Sequence, residues 1–133
     1  MPKLDRRELA AIFLGGAVGA LLRVWLGEEF AGIATSWPWV TFSINVTGSF
    51  VIGLFATVAG PEGRLMVKPL ARQFFMIGIC GGYTTFSSFS LQTLNLAREG
   101  EWAYAALNVG LSVLLCLLGV WLGFLAGETM NRG

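Results

Sequence analysis

The stretch Gly81-Gly82-Tyr83-Thr84-Thr85-Phe86-Ser87-Ser88-Phe89-Ser90 decides how this chain reads. It sets paired glycines, a run of hydroxyls and two phenylalanines in the middle of a long apolar segment. Hydrocarbon offers no partner to a hydroxyl or to broken backbone. Such a segment is tolerated at membrane depth only where protein buries it or where it lines a polar path. The stretch therefore points to a route through a membrane, built from neutral groups.

Its flanks extend this reading. The segment from about Pro69 to Ala97 is longer than the roughly 20 residues a straight crossing helix needs, and Gly81-Gly82 sits near its middle. A broken or kinked third span is expected. A first span runs from about Glu8 to Gly27, a second from Trp37-Pro38-Trp39 to about Gly60, and a fourth from Trp102 to about Gly127. Pro38 suits a first helical turn, where its missing N–H costs nothing. The tryptophans suit a membrane interface. Lys3, Arg6 and Arg7 before an apolar run suggest a signal peptide, but three more runs follow, so the first is read as a retained span.

Composition agrees. The chain has 133 residues, 55% of them apolar and 13% charged, with a mean hydropathy of +0.68. That fits a small all-α integral membrane protein, residues 1–133 forming a single four-helix transmembrane domain. One bundle of this size leaves little interior for a wide pore, so a conducting unit needs more than one copy. The net charge of +1 gives no basic surface for nucleic acid.

The charges lie almost wholly in the connections. Lys3, Arg6, Arg7, Arg64, Lys68, Arg72 and Arg132 fall on one side; Arg98 falls on the other, with Arg23 near the outer end of span one. The positive-inside rule makes both termini cytoplasmic. All the acids (Asp5, Glu8, Glu28, Glu29, Glu62, Glu99, Glu101, Glu128) sit at or beyond span ends, and there is no histidine. A proton-coupled small multidrug-type exporter needs a titrating group at membrane depth, and none is present. Paired carboxylates, a histidine base and a zinc site are equally unsupported, so an enzyme is not expected. Cys80 and Cys116 read as isolated membrane cysteines rather than a disulfide or metal pair.

Neutral donors remain, at helical spacing. Thr41, Asn45 and Gly48 share a face of span two, beside Ser43 and Thr47. Thr85, Ser88, Gln92 and Asn95 form a stripe on the second half of span three, and Asn108, Ser112 and Cys116 a stripe on span four. The plain reading is helix-to-helix hydrogen bonding in a non-conducting membrane assembly subunit. The sharper reading is a path for a small anion, which on losing water needs N–H and O–H groups aimed at it. Phe86 and Phe89 stand one turn apart beside the stripe. They are either packing groups or, through their positive ring edges, partial solvation for a dehydrated anion. Gly15-x-x-x-Gly19 and Gly16-x-x-x-Ala20 are close-packing motifs. Arg23 either snorkels, ties down a carbonyl or carboxylate, or draws anions to a pore mouth.

Three strings together resemble the Fluc/CrcB family of small fluoride channels: Gly15-Gly16-x-x-Gly19-Ala20-x-x-Arg23; Thr41-x-x-x-Asn45-x-x-Gly48; and Gly78-x-x-Gly81-Gly82-x-Thr84-Thr85-Phe86-Ser87-x-Phe89-Ser90. The resemblance covers nearly the whole chain. It implies an antiparallel dimer of four-helix subunits in a bacterial inner membrane, with two narrow pathways exporting fluoride passively. It implies Phe86 and Phe89 as pore phenylalanines and Asn45 as pore asparagine; the polar stripes then set Thr41, Thr85, Ser88, Asn108 and Ser112 along the path, with Arg23 and Gln92 at a vestibule. It also implies a structural sodium ion on the dimer axis, held by the backbone carbonyls of Gly81 and Thr84. Asn108 stands where family members often have tyrosine, and Gln92 where they often have glutamate. The basic bias of the loops bears on assembly, because an antiparallel homodimer must insert both ways. A heterodimer with an oppositely oriented homologue is the alternative.

Overall fold

The computed structural model describes residues 3–32 and 37–133. It is all-helical among those residues, with four helices long and apolar enough to cross a membrane: Arg6–Glu29, Trp39–Val58, Pro69–Arg98 and Trp102–Arg132. The first, α1 (Arg6–Glu29), starts at an N-cap, Asp5. The Asp5 side chain accepts from Arg7 N–H, and Glu8 returns to the Asp5 N–H at 2.8 Å. This capping box satisfies donors that a helix start leaves open. Pro38 is the N-cap of α2 (Trp39–Val58) rather than part of its first turn. Trp37, Trp39 and Phe42 pack edge-on there, with Trp37 4.6 Å from Trp39 and 4.8 Å from Phe42.

The third span has several pieces. After α3 (Pro69–Gln73) the chain widens into a π-helical segment, Phe74–Cys80, and tightens again as α4 (Gly81–Tyr83). Thr84 and Thr85 are extended (φ −81°, ψ 156° and φ −149°, ψ 114°), and α5 (Phe86–Arg98) follows. The break is real, but it lies at the two threonines and not at Gly81-Gly82. Gly81 keeps ordinary right-handed helical angles. Gly82 serves packing instead: a Cβ there would run into the Gly16 carbonyl. The π-helical segment had no signature in the hydrophobic pattern.

Gly100 (φ +82°) ends α5 in the left-handed conformation that glycine adopts without strain. Glu101 N–H reaches back to the Leu96 carbonyl at 2.8 Å, closing the end as a Schellman turn. The last helix, α6 (Trp102–Arg132), continues past Gly127. Near its end, Asn131 accepts from Arg64 N–H at 2.8 Å and donates to the Thr57 carbonyl at 3.3 Å, seating the α2–α3 loop.

The helices pack chiefly as α1 against α3, the π-helical segment and α4, and as α2 against α6; α5 leans on α6. Small residues allow both close pairs. A Cβ at Gly15 would meet the Phe74 carbonyl, and one at Gly19 the Ile79 carbonyl. On the other pair, Gly53 faces the Val120 carbonyl and Gly123 the Phe50 carbonyl. In lipid, dispersion between closely fitted backbones replaces the hydrophobic drive, so these approaches hold the bundle together.

Candidate functional site

The break in the third span is held by two ties from neighbouring helices. Asn45, on α2, reads the Thr85 backbone from both sides. Its Nδ2 donates to the Thr85 carbonyl at 3.0 Å, and its Oδ1 accepts from Thr85 N–H at 2.8 Å. On α1, Arg23 Nε donates to the Gly82 carbonyl at 3.2 Å. Of the roles open to Arg23, tying down a carbonyl is the one seen. Between these ties, Tyr83 Oη shares a 2.9 Å hydrogen bond with Thr47 Oγ1.

These ties redirect the helix hydrogen bonds. A continuing helix would send Thr85 N–H to the Gly81 carbonyl, but it goes to Asn45. Ser88 N–H goes to Thr85 Oγ1 at 3.2 Å, capping α5, rather than to the Thr84 carbonyl. Thr84 N–H and Thr84 Oγ1 both turn back to the Cys80 carbonyl, each at 3.1 Å. The carbonyls of Gly81 and Thr84 are thereby released from the helix ladder.

The break opens onto a groove of about 390 Å³ between the third span, α2 and α6. Asn45, Thr85, Phe86, Phe89 and Ser112 line it, and Gly81 and Thr84 lie along the same wall. The Phe86 and Phe89 rings stand 5.3 Å apart, tilted by 50°. Phe86 is 78% exposed, whereas Phe89 is half-buried. The residues lining the groove include no carboxylate, imidazole or basic side chain.

The family described as "CrcB-like protein, Camphor Resistance (CrcB)" matches residues 10–124. The chain belongs to this family. A relative from Rhodospirillum rubrum is 58% identical over 120 residues, covering 90% of this chain and 93% of its own, and is named a fluoride-specific ion channel, FluC. Relatives from Paramagnetospirillum magneticum (56% over 124 residues; 92% and 97% covered) and Opitutus terrae (51% over 121 residues; 90% and 92% covered) carry the same name.

The other family positions fall beside the groove or behind it. Ser88 is half-buried at the start of α5. Gln92 Nε2 donates to Thr41 Oγ1 at 2.9 Å, joining α5 to α2, while its Oε1 is buried without a hydrogen bond. Asn108 is the most buried side chain described, at 1% exposure. It donates to Thr93 Oγ1 at 2.9 Å and meets Ser112 Oγ at 3.4 Å. Asn108 thus lies behind the groove, tying α6 to α5, while Ser112 reaches the groove wall. Asn95 is exposed, and Thr85 caps α5, so the four-residue stripe does not act as one surface. Thr93 has no role in the sequence reading, and Thr47 and Tyr83 appear there without the pairing the structure gives them. Their partners are 15 and 36 positions away, and no local spacing announces such pairs.

Proposed function

We propose that this chain is a fluoride channel that lets the ion leave the cytoplasm passively, in a bacterial inner membrane. The observation that carries the reading is the broken third span, opened by Asn45 and Arg23 onto a neutral groove edged by Phe86 and Phe89. The naming of relatives 51–58% identical over nine-tenths of the chain supports fluoride as the ion.

The mechanism follows from the groove's chemistry. A dehydrated fluoride needs donors and positive edges but no fixed cation that would trap it. Asn45 Nδ2 spends one hydrogen on Thr85 and keeps a second. Ser112 and Ser88 add hydroxyls. Phe86 and Phe89 would present ring edges, whose quadrupole is positive, to the ion. Thr41, Gln92 and Asn108 would continue the polar lining, with Arg23 near a vestibule. A negative-inside potential drives the anion outward at about 2.3 kcal/mol per 100 mV.

The channel would be a dimer of antiparallel subunits. Gly81 and Phe86 are exposed on the single chain, which supports a second copy covering that wall. The released Gly81 and Thr84 carbonyls fit a sodium ion, since unwound carbonyls suit this hard cation. Two carbonyls from each subunit would hold it on the axis. When bound, it would supply positive potential beside the anion path.

Fluoride release from liposomes holding only the purified chain tests the reading, with chloride release as control. Fast fluoride efflux with little chloride efflux is expected, and would mean that the chain suffices as a homodimer. If fluoride flows only after an oppositely oriented homologue is added, the heterodimer is correct. No efflux in either case overturns the channel.

A further inference from the structure

The groove carries a second chemistry that fluoride does not use. Cys80 and Cys116, 36 positions apart in the chain, line the same cavity from two helices. They are the chain's only cysteines, and both are free thiols. Cys80 is buried at the end of the π-helical segment, one residue before Gly81, and its carbonyl anchors Thr84. Cys116 is half-buried on α6, one turn beyond Ser112. Met76 lines the cavity too, one turn before Cys80, but its sulfur already accepts from Arg72 Nε at 3.4 Å. The thiols are therefore the available soft donors, on walls shared with Asn45, Phe86 and Phe89.

A thiol offers little to a hard anion such as fluoride: it is a weak hydrogen-bond donor with a polarizable sulfur. To a soft metal cation it is the preferred ligand. We infer that the groove is an inhibitory site for thiophilic metal ions, with Cys80 and Cys116 as ligands. The step is a simple exchange. The sulfur–hydrogen bond breaks, a sulfur–metal bond forms, the proton leaves to water, and no electron changes hands. One proton leaves from each thiol, so two thiolates neutralise a divalent ion, and the bound metal would block the path by filling space beside Phe86 and Phe89.

This inference rests on the groove being the fluoride path. The test is therefore built to separate the two. Liposomes holding the purified channel are treated with mercuric nitrate, and fluoride efflux is followed on an electrode. Mercury bound per chain is measured in parallel by intact-protein mass. Expected are mercury on the thiols, loss of efflux, recovery on adding dithiothreitol, and resistance in the Cys80→Ala, Cys116→Ala double variant, whose untreated efflux remains. Thiols that take up no mercury overturn the site. Mercury bound to the thiols with efflux unchanged overturns the groove as the path, and the inhibitory role with it. Inhibition that persists in the double variant shows that mercury acts elsewhere, and also overturns the proposal.

Discussion

Replacing Asn45 with alanine tests the element on which the site depends. The asparagine amide satisfies both Thr85 N–H and the Thr85 carbonyl, at 2.8 and 3.0 Å, where the helix ladder is interrupted. Alanine leaves both groups without that partner at membrane depth. A fully buried group so orphaned costs about 1–3 kcal/mol, and since both bonds are part-buried the variant should lose at most about 2–6 kcal/mol. The backbone can avoid that cost by closing the break, sending Thr85 N–H back to the Gly81 carbonyl. Either route spoils the groove. The assay pairs thermal unfolding in detergent with fluoride efflux from liposomes. Ser90→Ala is the control: Ser90 Oγ bonds only the Phe86 carbonyl of its own helix, at 2.9 Å and exposed. Its removal should change stability by no more than about 0.5 kcal/mol. An Asn45→Ala protein that melts and conducts like the parent would refute the reasoning.

Two further outcomes are expected. Phe86→Ile and Phe89→Ile each keep an apolar side chain but remove the ring edge, so flux should fall while the assembly still elutes as the parent does; unchanged flux in both would end the quadrupole role. Gly82→Ala should fail to assemble, because its Cβ meets the Gly16 carbonyl and backbone cannot yield as a side-chain tip does; a well-folded variant on size exclusion would show that α1 and α4 can part.

The four spans were legible because lipid constrains them so strongly. Length and hydropathy alone located each to within a few residues, and the hydroxyl run marked the third as interrupted. The place of the interruption was not legible. Gly81-Gly82 looks like a breaker by intrinsic preference, yet both residues stay helical, and at Gly82 glycine is what a backbone contact requires. The extended conformation falls on Thr84 and Thr85 instead, where Asn45 on another helix supplies the missing hydrogen bonds. Helical spacing grouped Asn45 with Thr41 and Gly48 correctly, since one straight helix carries them. The same spacing failed from Thr85 to Asn95, because Thr85 lies outside α5. Tertiary partners such as Asn108 with Thr93 have no local signature at all.

The exposure of the site follows from what a neutral anion path requires. Glycine contacts bring α1 against the third span and α2 against α6 at backbone distance, leaving no room for an ion within either pair. The polar groups at the break line the groove between the third span, α2 and α6 instead. An outward groove at membrane depth would open onto lipid, which satisfies none of them. Phe86, exposed at the groove's edge, cannot seal it alone. The antiparallel dimer proposed above would supply a second wall, bringing an equivalent groove, a second Phe86 and a second pair of released carbonyls to the same seam. On the proposed reading, close packing within each chain would leave the path to form at the boundary between two copies.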